Sequence, residues 1–268
     1  GSARSMPGMM ETILNLGLNE QSVEGLARAT GNQRFVWDAY RRLVQMYSSV
    51  VIGLPKEELE HKLRAMKARR KVKEDTAVEA EGWRELVGEY KSYFKEKTGR
   101  SFPEDPQEQL WGAIGAVFQS WMAEKAVTYR RVEKITGLLG TAVSVVQMVF
   151  GNTGKKSGTG VCFTRDPSTG EKIFYGDFLI NAQGEDVVAG IRTPLHLTDM
   201  ARLMPKVYRQ LEKARRLLET HYRDMQDMEF TVEEGKLYML QTRVGKRTPA
   251  AAFCMAVDMA NCSVVVVK

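Results

Sequence analysis

The stretch Met225-Gln226-Asp227-Met228-Glu229-Phe230-Thr231-Val232, followed by Glu233-Glu234-Gly235 and then Lys236-Leu237-Tyr238-Met239-Leu240-Gln241-Thr242-Arg243, reads as two β-strands joined by a tight connection. Successive side chains of a strand point to opposite faces. Asp227 and Glu229 therefore share one face, while Met228 and Phe230 take the other. Gln241 and Arg243 likewise share a face of the second strand, with Leu240 opposed. Two carboxylates and an amide oxygen suit Mg²⁺, a hard cation that prefers oxygen ligands and phosphate company. An adjacent arginine suits phosphate oxygens, which its planar fork can hold in pairs. Convergence of all four requires Glu229 opposite Gln241 and Asp227 opposite Arg243. A two-residue turn centred on Glu234-Gly235 pairs Glu229 with Leu240 instead, so the pattern predicts a three-residue or bulged connection with Gly235 at positive φ. The competing reading is a solvated sheet face lined with mixed charges.

Outward from this hairpin, Val161–Arg165 and Lys172–Ile180 are further strand candidates, and Ala142–Phe150 is β-branched and apolar. Met200, Leu203, Met204, Val207 and Leu211 mark one helix between the strands. The first part of the chain is helical. Val36, Tyr40, Leu43, Val44 and Tyr47 form one amphipathic stripe, and Trp83, Leu86, Val87, Tyr90 and Phe94 form another. Between them Lys56–Glu74 is mostly charged. Gly99 through Pro106, with two prolines and a glycine, breaks the helical run, and a further helix carries Leu110, Ile114, Val117, Phe118 and Trp121. Helices early and an antiparallel sheet late make the fold class α+β.

The 268 residues suffice for one large domain or two modest ones, and 43% hydrophobic against 27% charged residues excludes wholesale disorder. No apolar run approaches the roughly 18 residues of a membrane helix. Lys and Arg number 39 against 33 Asp and Glu, a net charge of +6 that suits an anionic ligand without implying nucleic acid. Cys162, Cys254 and Cys262 are odd in number and lack metal-ligand spacing, which predicts a reducing, intracellular home. His61, His196 and His221 are scattered, and no Ser/His/Asp or Cys/His arrangement supports nucleophilic catalysis. No secretory leader is visible, and Gly1-Ser2 reads as foreign to the natural chain.

Two glycine-bearing loops are further candidates. Gly151–Gly160 resembles a Walker loop only superficially, since Lys156 stands where Ser or Thr should follow Gly154-Lys155. It is either a phosphate cradle or a hairpin tip. Met6-Pro7-Gly8-Met9-Met10-Glu11-Thr12 either brings backbone and the Thr12 hydroxyl to an anion, or is a helix entry with methionines filling core. The basic run Arg64–Lys73 lacks aromatic interleaving, so a solvated helix face is the simpler reading. The alternative function is a basic helical interaction module, with Glu20–Thr98 presented to protein or RNA.

Ser5–Gly17, the stretch from Gly140 through Thr193 and Pro194 that includes Ser157–Lys172 and Asn181–Pro194, and His221–Thr248 together closely resemble the nucleotide-binding, ATP-grasp-type domain of the pyruvate, phosphate dikinase family. The resemblance implies an enzyme that interconverts ATP, phosphate and pyruvate with AMP, pyrophosphate and phosphoenolpyruvate, passing the β-phosphate of ATP through a histidine on a separate domain. It implies Mg²⁺ held by Glu229 and Gln241, with Asp227 in support, and Arg243 as the catalytic cation. It also implies ATP contacts from Gly8, Met9, Met10, Thr12, Gln147, Met148, Asp227, Glu229 and Gln241. The implied organisation is a nucleotide-binding core of residues 1–18 and 105–250, a helical inserted subdomain of residues 19–104, and a helix start and tail over residues 251–268. The family's opening lysine-bearing glycine-rich segment and its Thr-Ser-His-Ala-like motif have no counterpart here. The expectation is therefore a fragment that binds nucleotide weakly and does not turn over alone. Its implied partners are the phosphohistidine and pyruvate-binding domains of a homodimeric enzyme, without nucleic acid or membrane. The implied compartment is cytoplasmic or organellar, plastid or glycosome. Cys262–Lys268 matches no pattern of the family.

Overall fold

The computed structural model describes residues 2–188, 190 and 192–261, so Gly1 and the Cys262–Lys268 tail lie outside the described residues. Two compact units meet in the chain between Met148 and Val149. The boundaries expected from family roles, at residues 18, 104 and 250, divide the chain on a different criterion.

Local signals set the helices of the first unit. Helix α1 (Glu20–Thr30) begins at Asn19, whose side chain accepts from the Ser22 amide while Ser22 answers the Asn19 amide. Helix α2 (Gln33–Met46) is capped by Asn32 and runs into a π turn at Tyr47–Val51. Helices α3 (Lys56–Arg69) and α4 (Ala80–Thr98) follow. The expected apolar stripes meet, since Val36, Tyr40, Leu43 and Val44 of α2 and Trp83, Leu86, Tyr90 and Phe94 of α4 are fully buried or nearly so, and the two helices pack together. Removing side chains of this size from water stabilises the unit by about 1.5–3 kcal/mol each. The break falls where expected: Gly99 closes α4 in the left-handed region, and Asp105 caps α5 (Pro106–Ser120) with Pro106 at its first position. On α5 the buried residues are Gln109, Ala113, Ala116 and Ser120, whereas Phe118 is exposed. Small side chains let α5 approach its neighbours closely. The buried Gln109 amide accepts from the Gly17 amide and donates to the carbonyls of Leu18 and Pro103. Helix α6 (Glu124–Val132) completes the unit's helices.

Residues 138–150 adopt no regular element, and Val145 and Val146 are exposed. The β-branched composition of Ala142–Phe150 therefore does not make a strand, because such residues favour a strand only where a neighbour offers a ladder and a packed face.

The second unit is built on a five-stranded antiparallel sheet in the order β3-β2-β1-β4-β5, formed by β1 (Gly158–Phe163), β2 (Tyr175–Ile180), β3 (Leu195–His196), β4 (Gln226–Glu233) and β5 (Lys236–Val244). A short helix α7 (Gly184–Val188) follows β2. The expected single helix through Met200–Leu211 is two, α8 (Leu197–Leu203) and α9 (Pro205–Tyr222), because Pro205 cannot donate to the preceding turn and Met204 leaves helical geometry. One sheet face carries Cys162, Phe178, Met228, Phe230 and Val232, packed against Leu197, Met200, Val207 and Leu211 of α8 and α9. Gly160 in β1 has room for no side chain, since a Cβ there would sit 2.6 Å from the Phe230 ring and from the Asp177 carbonyl. Helix α10 (Pro249–Asn261) buries Ala251 and Met255 with Met225.

Candidate active site

Glu233 pairs with Lys236, so the hairpin turn has two residues, Glu234 at φ 47° and Gly235 at φ 79°. Two consecutive positive φ values are the turn whose twist suits a hairpin. That corrects the expectation of a longer connection at the turn; the extra residue is instead a bulge inside β5. Phe230 pairs with Met239 but Glu229 pairs with Gln241, which leaves Leu240 unmatched. Beyond the bulge Asp227 stands opposite Arg243, and the four polar residues share the face away from α8 and α9.

Two rows of side chains cross that open face by register. One runs His196, Asp177, Val161, Glu229, Gln241, and the other Tyr175, Phe163, Asp227, Arg243. Arg243 ties the carboxylates together. Its Nε donates to Asp227 Oδ2 at 2.7 Å and its Nη2 to Glu229 Oε1 at 2.6 Å. Burial opposes the charge on Arg243, but the hydrogen bonds it donates to Asp227 and Glu229 and the charges of those carboxylates outweigh it and hold the guanidinium above its ordinary pKa. Arg243 is thus a fixed cation beside a pair of anions at the sheet surface.

Asp177 is the residue on this face that the strand pattern of Lys172–Ile180 placed opposite Phe178 but did not single out. It pairs with His196, Nδ1 to Oδ1 at 2.9 Å. That contact depends on the two-residue strand β3, which carries no alternation to read.

The donor set fits Mg²⁺ in a limited way. Among the described residues no cluster of three or more His, Cys, Asp or Glu surrounds a common point. Glu229 and Gln241 face one another across the strand pair, offering a carboxylate and an amide oxygen. Mg²⁺ commonly takes only one or two carboxylates and completes its shell with water and substrate phosphates, so two protein oxygens suffice, with water filling the other positions until phosphates bind.

The other predicted residues lie in the first unit. Residues 7–10 form turns, with Gly8 at φ 72° and the Met9 amide donating to the Met6 carbonyl; α1 begins only at Glu20, so this is not a helix entry. Met6 is buried, while Gly8 and Thr12 are exposed, and a side chain at Gly8 would meet open space. The loop is anchored behind its exposed edge: the Glu11 amide donates to Ser120 Oγ, and Lys125 pairs with the Glu11 carboxylate. Gln147 is exposed and Met148 half-buried, at the end of the irregular stretch. In the second unit, the glycine-rich loop is fastened to the hairpin turn. Thr153 donates to the Glu234 carboxylate, the Glu234 amide donates to Ser157 Oγ, and the Gly235 amide donates to the Lys156 carbonyl. Lys155 and Lys156 stay exposed.

The basic run of the first unit is neutralised by its neighbour, because Arg69 pairs with Glu85 and Glu89 and Arg70 pairs with Glu85. Among the described residues no helix is long and apolar enough to cross a membrane.

Comparison with known proteins identifies the family. The family described as "Pyruvate phosphate dikinase, AMP/ATP-binding domain" matches residues 1–207 and 196–260. The chain is 55% identical over 273 residues to pyruvate, phosphate dikinase of Rhizobium meliloti (strain 1021), covering 97% of this chain and 30% of the relative. It is 55% identical over 262 residues to pyruvate, phosphate dikinase of Clostridium symbiosum, with the same coverage. It is 56% identical over 259 residues to pyruvate, phosphate dikinase 1, chloroplastic, of Arabidopsis thaliana, covering 97% of this chain and 27% of that relative. The chain thus spans less than a third of the length of these curated relatives. With α-helices, an antiparallel sheet and this family match over nearly its whole length, the chain belongs to the AMP/ATP-binding domain family of pyruvate phosphate dikinase, an ATP-grasp-type nucleotide-binding fold of the α+β class.

Proposed function

We propose that the chain is the ATP-binding part of a pyruvate, phosphate dikinase. In that reading it presents ATP for transfer of the β-phosphate to a histidine on a separate domain, on the way from pyruvate to phosphoenolpyruvate, with AMP and pyrophosphate as the other products. The observation that carries the reading is the β5 bulge at Leu240, which puts Asp227, Glu229, Gln241 and Arg243 on one open face. Phosphoryl transfer is mainly positioning and charge stabilisation, and the face supplies both. Arg243 neutralises charge that develops on the transferring group, and Asp227, directly opposite, fixes its guanidinium. Glu229 and Gln241 hold Mg²⁺, which when bound screens the phosphate charge. Gly8, Met9, Met10 and Thr12 contact the phosphates through backbone and hydroxyl, and Gln147-Met148 lies along the adenine. The grouping of residues 1–18 and 105–250 as nucleotide core, with residues 19–104 as a helical insert, belongs to this proposal. So do the longer enzyme's homodimeric state and its phosphohistidine and pyruvate-binding domains. The free thiols Cys162 and Cys254 suit a reducing cytoplasm or organelle.

Calorimetry with a non-hydrolysable ATP analogue and Mg²⁺ tests the reading. Weak, Mg²⁺-dependent binding is expected for the chain, and none for Glu229→Ala. Equal affinity in both overturns it. The chain's histidines are His61, His196 and His221, none in a Thr-Ser-His-Ala-like context. Accordingly the chain alone is expected to form no AMP from ATP, phosphate and pyruvate, and turnover comparable to that of a full-length relative contradicts the division of labour proposed.

A further inference from the structure

Resting on the metal-site reading above, the geometry points to a hand-over at Glu229: Arg243 is held by this carboxylate until Mg²⁺ takes it, and metal loading frees one arm of the guanidinium for phosphate. The two contacts of Arg243 are unequal. Asp227 stands directly opposite it in the strand register, whereas Glu229 stands opposite Gln241 and is reached only diagonally. Asp227 is also the more enclosed, its side chain 15% exposed against 34% for Glu229. The direct contact uses Nε at 2.7 Å and the diagonal one uses Nη2 at 2.6 Å.

Glu229 cannot serve both cations equally. A divalent ion on this carboxylate places two positive charges beside a guanidinium bonded to the same group, and their repulsion is relieved when Nη2 leaves. The Nε bond to Asp227 need not break in that movement, so the arginine keeps its pivot. The released Nη2 joins the unused N–H donors of the guanidinium, whose planar fork matches a phosphate edge. Metal binding thereby prepares the cation for substrate, and the bare chain holds it out of the way. By linkage the effect is reciprocal: the Arg243–Glu229 pair weakens Mg²⁺ as much as Mg²⁺ weakens the pair.

NMR of the arginine-¹⁵N-labelled chain, titrated with Mg²⁺ alone, tests this, with Arg243→Lys assigning the resonances. Without metal the Arg243 guanidinium is expected to rotate slowly about Nε–Cζ. At saturating Mg²⁺ its Nη signals shift and rotation quickens, while the Nε–H signal stays in place. Arg243→Met is expected to bind Mg²⁺ about fivefold more tightly or better, the lower end of ordinary coupling between sites. Saturation with Mg²⁺ that leaves the Nη signals unmoved, or Mg²⁺ affinity in Arg243→Met equal to or below wild type, overturns the hand-over. Glu229→Gln separates the two claims: Mg²⁺ affinity undiminished in that variant overturns the metal-site reading itself. Absence of Mg²⁺ binding by the wild-type chain overturns both.

Discussion

Arg243 illustrates what a single side chain is worth on this sheet. Two carboxylates lie within hydrogen-bond reach of it, one of them largely enclosed. Arg243→Met would leave Asp227 charged with its strong donor gone, which costs about 1–3 kcal/mol where the group stays shielded from water. Asp227→Asn on the same background removes the stranded charge and is expected to recover part of that loss. Urea unfolding of the two single variants and the double variant measures the coupling, and strictly additive effects would show that the pair contributes nothing of its own. That Asp227 shares a face with Glu229, and Gln241 with Arg243, was legible in the sequence, because alternation assigns faces within a strand; that the two pairs meet on one face rested on the register. The double contact of Arg243 was not legible, since alternation says where a side chain starts and not which partner it reaches. Asp177 was missed for a related reason: its partner His196 sits on a strand too short to show a period.

Among the elements, the hairpin shows how a correct register can arise by an unexpected route. Pairing of Glu229 with Gln241 demanded one extra residue between the strands, and the turn was the obvious place to put it. The turn is instead a tight two-residue one, and Leu240 absorbs the mismatch five residues further along. Nothing in the side chains of Met239, Leu240 and Gln241 announces a bulge, so its position was beyond the sequence pattern. The consequence is testable by deletion. Removing Leu240 makes the hairpin regular and keeps Glu229 opposite Gln241 and Asp227 opposite Arg243, with only a 53% exposed side chain lost. Removing Thr242 shifts Arg243 opposite Met228, onto the buried face. Binding of the Mg²⁺–ATP analogue is expected to survive the first deletion within a few-fold and to vanish in the second. Loss in both would mean that the bend of the bulge, rather than the register, aims the residues. Other elements were obscured by composition. Strand β1 begins with the glycine-rich Gly158-Thr159-Gly160, which reads as loop; the backbone there is crowded by Phe230 and by β2, and glycine is what fits.

Across the whole molecule the net charge of +6 is a poor guide to where charge matters, because the basic run at Arg69 and Arg70 is matched by Glu85 and Glu89. Charges that bear on stability also lie inside the helical unit. Asp38 of α2 is buried and receives Arg41 and Arg42 one turn along. Burial alone would raise its pKa, but Arg42, Arg41 and Arg34 together pull it from 3.8 to about 2. The folded value lies below the unfolded one, so the stabilisation is complete above about pH 4 and disappears as pH falls through about 2. At about 1.36 kcal/mol per unit the drop corresponds to roughly 2 kcal/mol. Asp38→Asn is therefore expected to be less stable than the parent near neutral pH, and the gap should close steadily from pH 4 to pH 2. Urea unfolding followed by far-ultraviolet circular dichroism at a series of pH values reads this directly. A gap that stays constant down to pH 2 would mean that Asp38 acts through packing and hydrogen-bond geometry, and that its charge is not what anchors the three arginines.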